Sequence, residues 1–351
     1  MNLDDATWFA TVDKSNMLAE IDGLPDQLET TWNLGSQLEL TPFPDITRVL
    51  VAGMGGSAIG ADLLAAYLEP ISQVPIFVQR DYTLPAWAFG KQTLVIASSH
   101  SGNTEETLSV FERARQSGCQ ILVISTGGRL AEIAHHAGVP VWKFNHSGQP
   151  RAAVGFSFGL LLTLFSRQGW IPAQDAEMAD ALEAMRAQQA SLRVDVPTVK
   201  NPAKRQAGQM MGRWVVILGS GLLAPVARRW KGQVNELAKA WGQFDTLPEA
   251  DHNTLAGIEY PEEMLTNTIV IFLRSASDHP RNLQRSELTR QSFMVAGLGT
   301  DYYVAQGNSR LAQMWTAIHF GDYTGYYLAM AYGVDPTPIP AITSLKNAMQ
   351  S

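Results

Sequence analysis

Two short segments of this sequence carry residue types spaced for holding an anion. Gly53-Met-Gly55-Gly56-Ser57-Ala-Ile-Gly60 falls where an apolar run gives way to a helical pattern. Glycines let a backbone turn tightly and approach a ligand, and a helix N-terminus presents free N–H groups to negative charge. Taken alone, the turn also reads as close packing, or as a dinucleotide turn with Asp81 placed to read a ribose. The third glycine is misplaced for G-x-G-x-x-G. The second segment, Ser98-Ser99-His100-Ser101-Gly102-Asn103-Thr104-Glu105-Glu106-Thr107, says more. A helix cap needs one hydroxyl, and Ser101 with Thr104 would supply it. Ser99, Ser101 and Thr104 together offer three neutral donors, which with exposed amides suit a phosphate dianion held without cationic side chains. The Gly-Lys-Ser/Thr of a P-loop is absent.

The residues able to move protons are scattered. Glu236 lies three residues before Lys239 on a helical pattern, and on its own it reads as half of a surface ion pair. Its setting tells against that. Trp230, Gly232, Val234, Leu237, Ala238 and Trp241 surround it, and partial burial would raise its pKa toward that of a general base. His252, in the loop Pro248-Glu-Ala-Asp251-His252-Asn253, is by itself an ordinary surface histidine, although an imidazole beside a carboxylate suits proton transfer near neutral pH. Arg151 opens a nearly uncharged segment; it reads either as a loop arginine paired with a carboxylate or as a guanidinium that steadies developing negative charge. Lys346 alone is a solvated lysine. His135-His136 and Glu262-Glu263 read as helix-end residues. No H-E-x-x-H or comparable ligand spacing occurs, so no metal is expected.

These groups need elements to position them. Apolar runs rich in Val and Ile recur at Arg48–Gly53, Pro75–Gln79, Thr93–Ser98, Gln120–Ser125 and Pro140–Phe144, with helical stretches at Ala58–Leu68, Thr104–Ser117 and Leu130–Ala137 between them. Continuous apolar strands alternating with amphipathic helices predict a parallel sheet covered on both faces. A long helix, Ala176 to Leu192, leads into a proline-bearing linker at 193–201. The theme then restarts: Trp214-Val-Val-Ile-Leu-Gly219-Ser-Gly221 resembles Arg48-Val-Leu-Val-Ala-Gly53-Met-Gly55, about 166 residues earlier. Further strands are predicted at Thr268–Leu273 and Asp301–Ala305, and a helix at Leu311–Tyr332. Its aromatics, Trp315, Tyr323, Tyr326 and Tyr327, follow helical spacing and are expected in a core or interface. The predicted organisation is an N-terminal helical extension over 1–47, one α/β domain over 48–192, the linker, and a second α/β domain over 202–351.

Composition bounds the function. The chain holds 351 residues with 46% hydrophobic and 17% charged, enough for two cores and too apolar for disorder. A net charge of −7 without a Lys/Arg cluster argues against nucleic acid or an anionic membrane as partner. The apolar stretch from Ala152 to Ser166 falls short of the roughly 20 residues a span needs. The start, Met-Asn-Leu-Asp-Asp, carries no apolar signal core, so a cytoplasmic protein is expected. The single cysteine, Cys119, can make neither an internal disulfide nor a thiol metal site.

Gly-Gly-Ser after the first strand and Ser-x-Ser-Gly-x-Thr after the third resemble the sugar isomerase (SIS) domain. The likeness covers both halves of the chain. Arg80-Asp-Tyr-Thr-Leu-Pro85, Pro150-Arg151-Ala-Ala, Lys231-Gly-Gln-Val-Asn-Glu236, Asp251-His252-Asn253 and the C-terminal Asp335-Pro-Thr-Pro with Leu345-Lys346 resemble, in that order, the bifunctional phosphoglucose/phosphomannose isomerases. Leu237 stands where another polar residue is common, and His100 replaces a more usual aromatic. The resemblance implies two tandem SIS domains, each a doubly wound, flavodoxin-like parallel sheet flanked by helices. It implies an intramolecular oxidoreductase that interconverts glucose 6-phosphate and mannose 6-phosphate with fructose 6-phosphate through an enediolate, without cofactor or metal. Phosphate would be held by Ser57, Ser99, Ser101 and Thr104, helped by the backbone of Gly55 and Gly56. His252 and Lys346 would open the ring, Glu236 would carry the proton between C1 and C2, and Arg151 would stabilise the enediolate. A homodimer sharing residues between its sites is expected. The alternatives are an amino-sugar phosphate isomerase, or a non-catalytic SIS regulator, which would not require Glu236, His252 and Lys346 together.

Overall fold

The computed structural model describes residues 3–349. Its contacts divide the chain into two units, one of residues 23–182 and one of residues 3–22 together with 183–349. Helices α1 (Ala6–Val12) and α2 (Met17–Asp22) open the chain and belong to the latter.

In the first unit, α3 (Leu24–Gln37) precedes β1 (Arg48–Ala52), α4 (Gly55–Leu68), β2 (Ile76–Gln79), β3 (Thr93–Ser99) and α5 (Glu105–Gln116). Then come β4 (Gln120–Ser125), α6 (Gly128–His136), β5 (Val141–Lys143), α7 (Val154–Arg167) and α8 (Asp175–Gln189), within which the division falls. The strands are parallel in the order β2-β1-β3-β4-β5. Every residue of β3 is buried, as a central strand covered on both faces must be. Leu50, Val95, Ala97 and Val123 meet Phe111 of α5 and Leu130 of α6 on one face. The uncharged run after Arg151 becomes α7, a core helix buried from Val154 to Phe165. Among the described residues, no helix is long and apolar enough to cross a membrane.

The second unit continues with α9 (Pro202–Met210), β6 (Trp214–Ser220), α10 (Ala224–Glu236), β7 (Gly242–Leu247), α11 (Glu262–Thr266), β8 (Thr268–Arg274), α12 (Pro280–Val295), β9 (Gly299–Val304), α13 (Arg310–Tyr332) and α14 (Pro340–Met349). Its sheet is also parallel, in the order β7-β6-β8-β9. Residues 193–201 are turns tied to their surroundings: the buried Lys204 ammonium donates to the carbonyls of Val194 (2.8 Å) and Val196 (2.9 Å). Helix α13 is buried from Leu311 to Ala331, and Trp315, Tyr323, Tyr326 and Tyr327 all lie in the core. Tyr327 donates to the Leu192 carbonyl, and two other tips, with Trp8, tie α13 to the first residues of the chain. Tyr323 donates to Asp22, Tyr326 donates to Asp13 (3.1 Å), and Trp8 Nε1 donates to the Met330 carbonyl (2.9 Å). His319 Nε2 pairs with the Ile21 carbonyl (2.9 Å), and complete burial pushes this imidazole down to about 4. The architecture is two parallel sheets flanked by helices, as the alternation of apolar runs and helices predicts.

Candidate active site

Paired parallel in register, β1 and β3 bring two turns together at their carboxyl ends, the usual ligand position in open α/β sheets. After β1 the chain turns at Gly55, whose φ of +51° is the left-handed conformation, and enters α4. Gly56 follows because a Cβ there would lie 2.3 Å from the Pro150 carbonyl oxygen. Ser57, buried, completes the first turn of α4. Met54 stands at the N-cap and gives no side-chain cap.

The turn after β3 holds the hydroxyls. Ser99 Oγ lies 2.9 Å from Thr104 Oγ1 and accepts the Gly102 N–H at 3.1 Å. Ser101 is exposed, and its Oγ accepts the Asn103 N–H at 3.2 Å. Thr104 occupies the N-cap position of α5 but makes no cap bond. So the capping explanation of these hydroxyls does not hold. What remains are two adjacent, uncapped helix N-termini with neutral donors around them, a polarity suited to an anion.

Arg151 sits in a tight helical turn, Pro150–Ala152, and is buried with its Cα 3.6 Å from where a Gly56 Cβ would stand. The close fit of Gly56 thus places Arg151 beside the start of α4. His100, within the hydroxyl loop, pairs through Nε2 with His146 Nδ1 at 2.9 Å, and the aromatic rings of Phe144 and Phe156 pack around the two imidazoles. Arg80 forms an ion pair with Asp62 of α4. The first unit therefore brings Gly55, Gly56, Ser57, Ser99, Ser101, Thr104 and Arg151 to one edge of its sheet.

The second unit holds Glu236, His252 and Lys346. Glu236 is the last residue of α10 and is half-buried. Lys239, at φ +55°, sends its ammonium to the Glu236 backbone carbonyl (2.5 Å) and the Pro336 carbonyl (3.2 Å), where a cation also complements the helix C-terminus. Helix α10 is fixed to α13 by a buried network: Arg229 reaches Asp322 at 2.6 Å, Gln233 reaches it at 2.9 Å, and Trp230 Nε1 donates to the Ala317 carbonyl at 2.8 Å. Arg229, Gln233 and Glu236 follow one another on one helical face, so the network sets the rotation that presents Glu236.

His252 ends a short turn, Glu249–His252, and is exposed. The neighbouring carboxylate is engaged elsewhere. Asp251 accepts Arg285 Nη1 at 2.9 Å and Thr289 Oγ1 at 2.7 Å, anchoring the loop to α12. Lys346 lies on α14, exposed, and it and His252 form no hydrogen bond to each other. Sequence reasoning missed Asp322, Arg285 and Thr289, whose contacts are long-range. Only the i, i+4 spacing of Arg229 and Gln233 signalled a buried polar face of α10.

Residues 44–139 match the SIS domain family, and residues 199–349 match the family described as bacterial phospho-glucose isomerase C-terminal SIS domain. The chain is 38% identical to a bifunctional phosphoglucose/phosphomannose isomerase of Caldicellulosiruptor bescii, over 95% of this chain and 98% of that one. A protein of the same description from Aquifex aeolicus is 34% identical over 89% and 92% of the two chains. Among solved structures, a hypothetical protein of Thermus thermophilus superimposes with a TM-score of 0.73 at 16% identity, covering 98% of this chain and 92% of its own, which speaks for the fold alone. Matched along nearly its whole length by these relatives, the chain belongs to the family of bifunctional phosphoglucose/phosphomannose isomerases.

Proposed function

We propose that this chain interconverts glucose 6-phosphate and mannose 6-phosphate with fructose 6-phosphate by metal-free proton transfer. As a member of its family it is a sugar-phosphate aldose–ketose isomerase. The observation that carries the phosphate part is the uncapped pair of helix N-termini beside Ser57, Ser99, Ser101 and Thr104. Neutral donors there hold the dianion, and the buried Arg151 stands beside the start of α4.

Isomerisation needs three further acts. His252 and Lys346 shuttle the proton that opens the ring. Glu236 takes the proton from C2 of the aldose and returns it at C1. Arg151 lowers the energy of the enediolate between those steps. Glucose and mannose phosphates share one enediolate and differ only in the C2 face that is reprotonated, so one carboxylate serves both when the enediolate presents either face to it. None of these steps draws on a nicotinamide or a metal. The reading includes a homodimer in the cytoplasm. Phosphorylated hexoses are held inside cells by their charge, and α14 keeps Ile342, Leu345 and Met349 exposed at 40%, 61% and 58% beside Lys346, an apolar stripe suited to a second copy. A coupled assay of the purified protein with all three hexose phosphates tests the reading; turnover of none of them overturns it.

A further inference from the structure

Arg151 is held in place by a residue that lies in none of the motifs around it. Its turn, Pro150–Ala152, runs straight into α7. The turn's own hydrogen bonds, Ala152 N–H to the Gln149 carbonyl (2.8 Å) and Ala153 N–H to the Pro150 carbonyl (3.2 Å), hold its shape. Its place is set by two neighbours in the same unit. On one side Gly56 brings the start of α4 against the Pro150 carbonyl. On the other stands Gln27, in the second turn's reach of α3 and 125 positions from Ala152.

Gln27 uses both ends of its side-chain amide. Nε2 donates to the Ala152 carbonyl at 3.0 Å, and Oε1 accepts the Gly155 N–H at 2.8 Å. The first partner belongs to the residue directly after Arg151. The second is a first-turn donor of α7, which has no acceptor within its own helix, and Ala153 at the N-cap supplies none. An amide bonded at both ends across a helix start acts as a strut, because it cannot follow one partner without losing the other. The packing leaves it little slack. A Cβ on Gly155 would stand 2.6 Å from Gln27 Oε1, and four residues further along both helices a Cβ on Gly159 would stand 2.7 Å from Thr31 Cγ2. Four further again, a Cβ on Gly35 would stand 2.6 Å from Thr163 Oγ1. Glycines thus bring α3 and α7 together, and their contact fixes where Gln27 can reach.

We infer that Gln27 is a positioning residue for the isomerisation: it holds the Arg151 turn so that the guanidinium meets the enediolate. It acts through Arg151 and not on the substrate, and the inference rests on the role proposed for Arg151. Misplacing a catalytic group by about 1 Å can cost about 10²-fold in rate. With Gly56 still in place, loss of the strut should cost less, about 10-fold.

The test is a double-mutant cycle in steady-state turnover of fructose 6-phosphate by wild type, Gln27→Met, Arg151→Ala and the double variant, each shown by thermal unfolding to be folded at the assay temperature. Gln27→Met should lower kcat about 10-fold and leave KM within about two-fold. Arg151→Ala should lower kcat by about 10²–10³, and in that background Gln27→Met should cost nothing further. Unchanged kcat in Gln27→Met, a change confined to KM, or an equal fall with Arg151 present and absent overturns the inference. Unchanged kcat in Arg151→Ala overturns the role of Arg151 itself and the inference with it, a failure told apart because it shows in the Arg151 variant alone. Gln27→Asn, neutral and one methylene too short to reach both partners, serves if the methionine variant does not fold. Failure of both to fold makes Gln27 a requirement of packing and rejects the inference.

Discussion

Ser99 and Thr104 face each other across the mouth of the β3–α5 turn, hydroxyl to hydroxyl at 2.9 Å, and α5, which follows Thr104, begins without a side-chain cap. A threonine at that position ordinarily stabilises its helix by about 1 kcal/mol. Here the hydroxyl is turned to the strand end instead.

Thr104→Val keeps the shape and removes the hydroxyl. It should weaken fructose 6-phosphate binding by about 10-fold, while lowering stability by less than the ~1 kcal/mol of a lost cap. Calorimetric titration and thermal unfolding of the same samples separate the two effects. Unchanged affinity with lowered stability would return Thr104 to a purely structural role.

Glu236→Gln preserves size and removes the base. We expect kcat to fall by about 10²–10⁴ while hexose phosphate still binds. Substrate-protection of thermal unfolding reports binding independently of turnover. Normal turnover by the variant removes Glu236 from the chemistry.

Activity should survive exhaustive dialysis against EDTA, since carboxylate, imidazole, ammonium and guanidinium suffice for every step. Complete loss that zinc restores would overturn the metal-free scheme.

Acid should weaken the second unit through His319. Its folded imidazole titrates at about 4 against 6.5 for the free side chain, so between those values only the unfolded chain takes up the proton. Stability is full above pH 6.5 and is lost as pH falls, by about 3 kcal/mol at pH 4. Urea unfolding of wild type and His319→Gln across this range measures it; an identical acid slope in both proteins assigns the effect elsewhere.

Mixing Glu236→Gln with His252→Ala subunits tests whether sites are shared. In a two-fold dimer that exchanges these residues, each mixed pair holds one intact site and one doubly damaged site. Random reassociation should therefore restore activity to about a quarter of wild type. No recovery, with exchange verified by mass-tagged subunits, means each chain supplies both residues to its own site.

The parts of the fold legible in the sequence were those whose burial is continuous. β1, β3, β4, β6 and β8 are apolar through their middles because helices cover both faces, and β4 runs over Gln120–Ser125 as its pattern predicts. β7, Gly-Gln-Phe-Asp-Thr-Leu, escaped notice because an edge strand is only partly covered and carries the polar residues Gln243, Asp245 and Thr246 in its middle. The hydroxyl cluster at the start of α5 was legible, but whether Thr104 caps its helix is a matter of one rotamer. Likewise, Asp251 looked like a companion for His252, and its partners turned out to be Arg285 and Thr289, brought in by α12 from far along the chain. The docking of α1 and α2 on α13 left no local sign, since each contact joins residues about 300 positions apart.

That docking bears on how the chain comes off the ribosome. Asp13, Ile21 and Asp22 emerge early, yet the residues that satisfy them, Tyr326, His319 and Tyr323, are among the last. At about 5–20 residues per second, the N-terminal helices wait on the order of 15–60 s for their partner. Residues 23–182 have all their strands and helices in hand long before then. Synthesis therefore orders assembly: the unit bearing the Ser99–Thr104 loop matures first, and the unit bearing Glu236 closes only when the two ends of the chain meet.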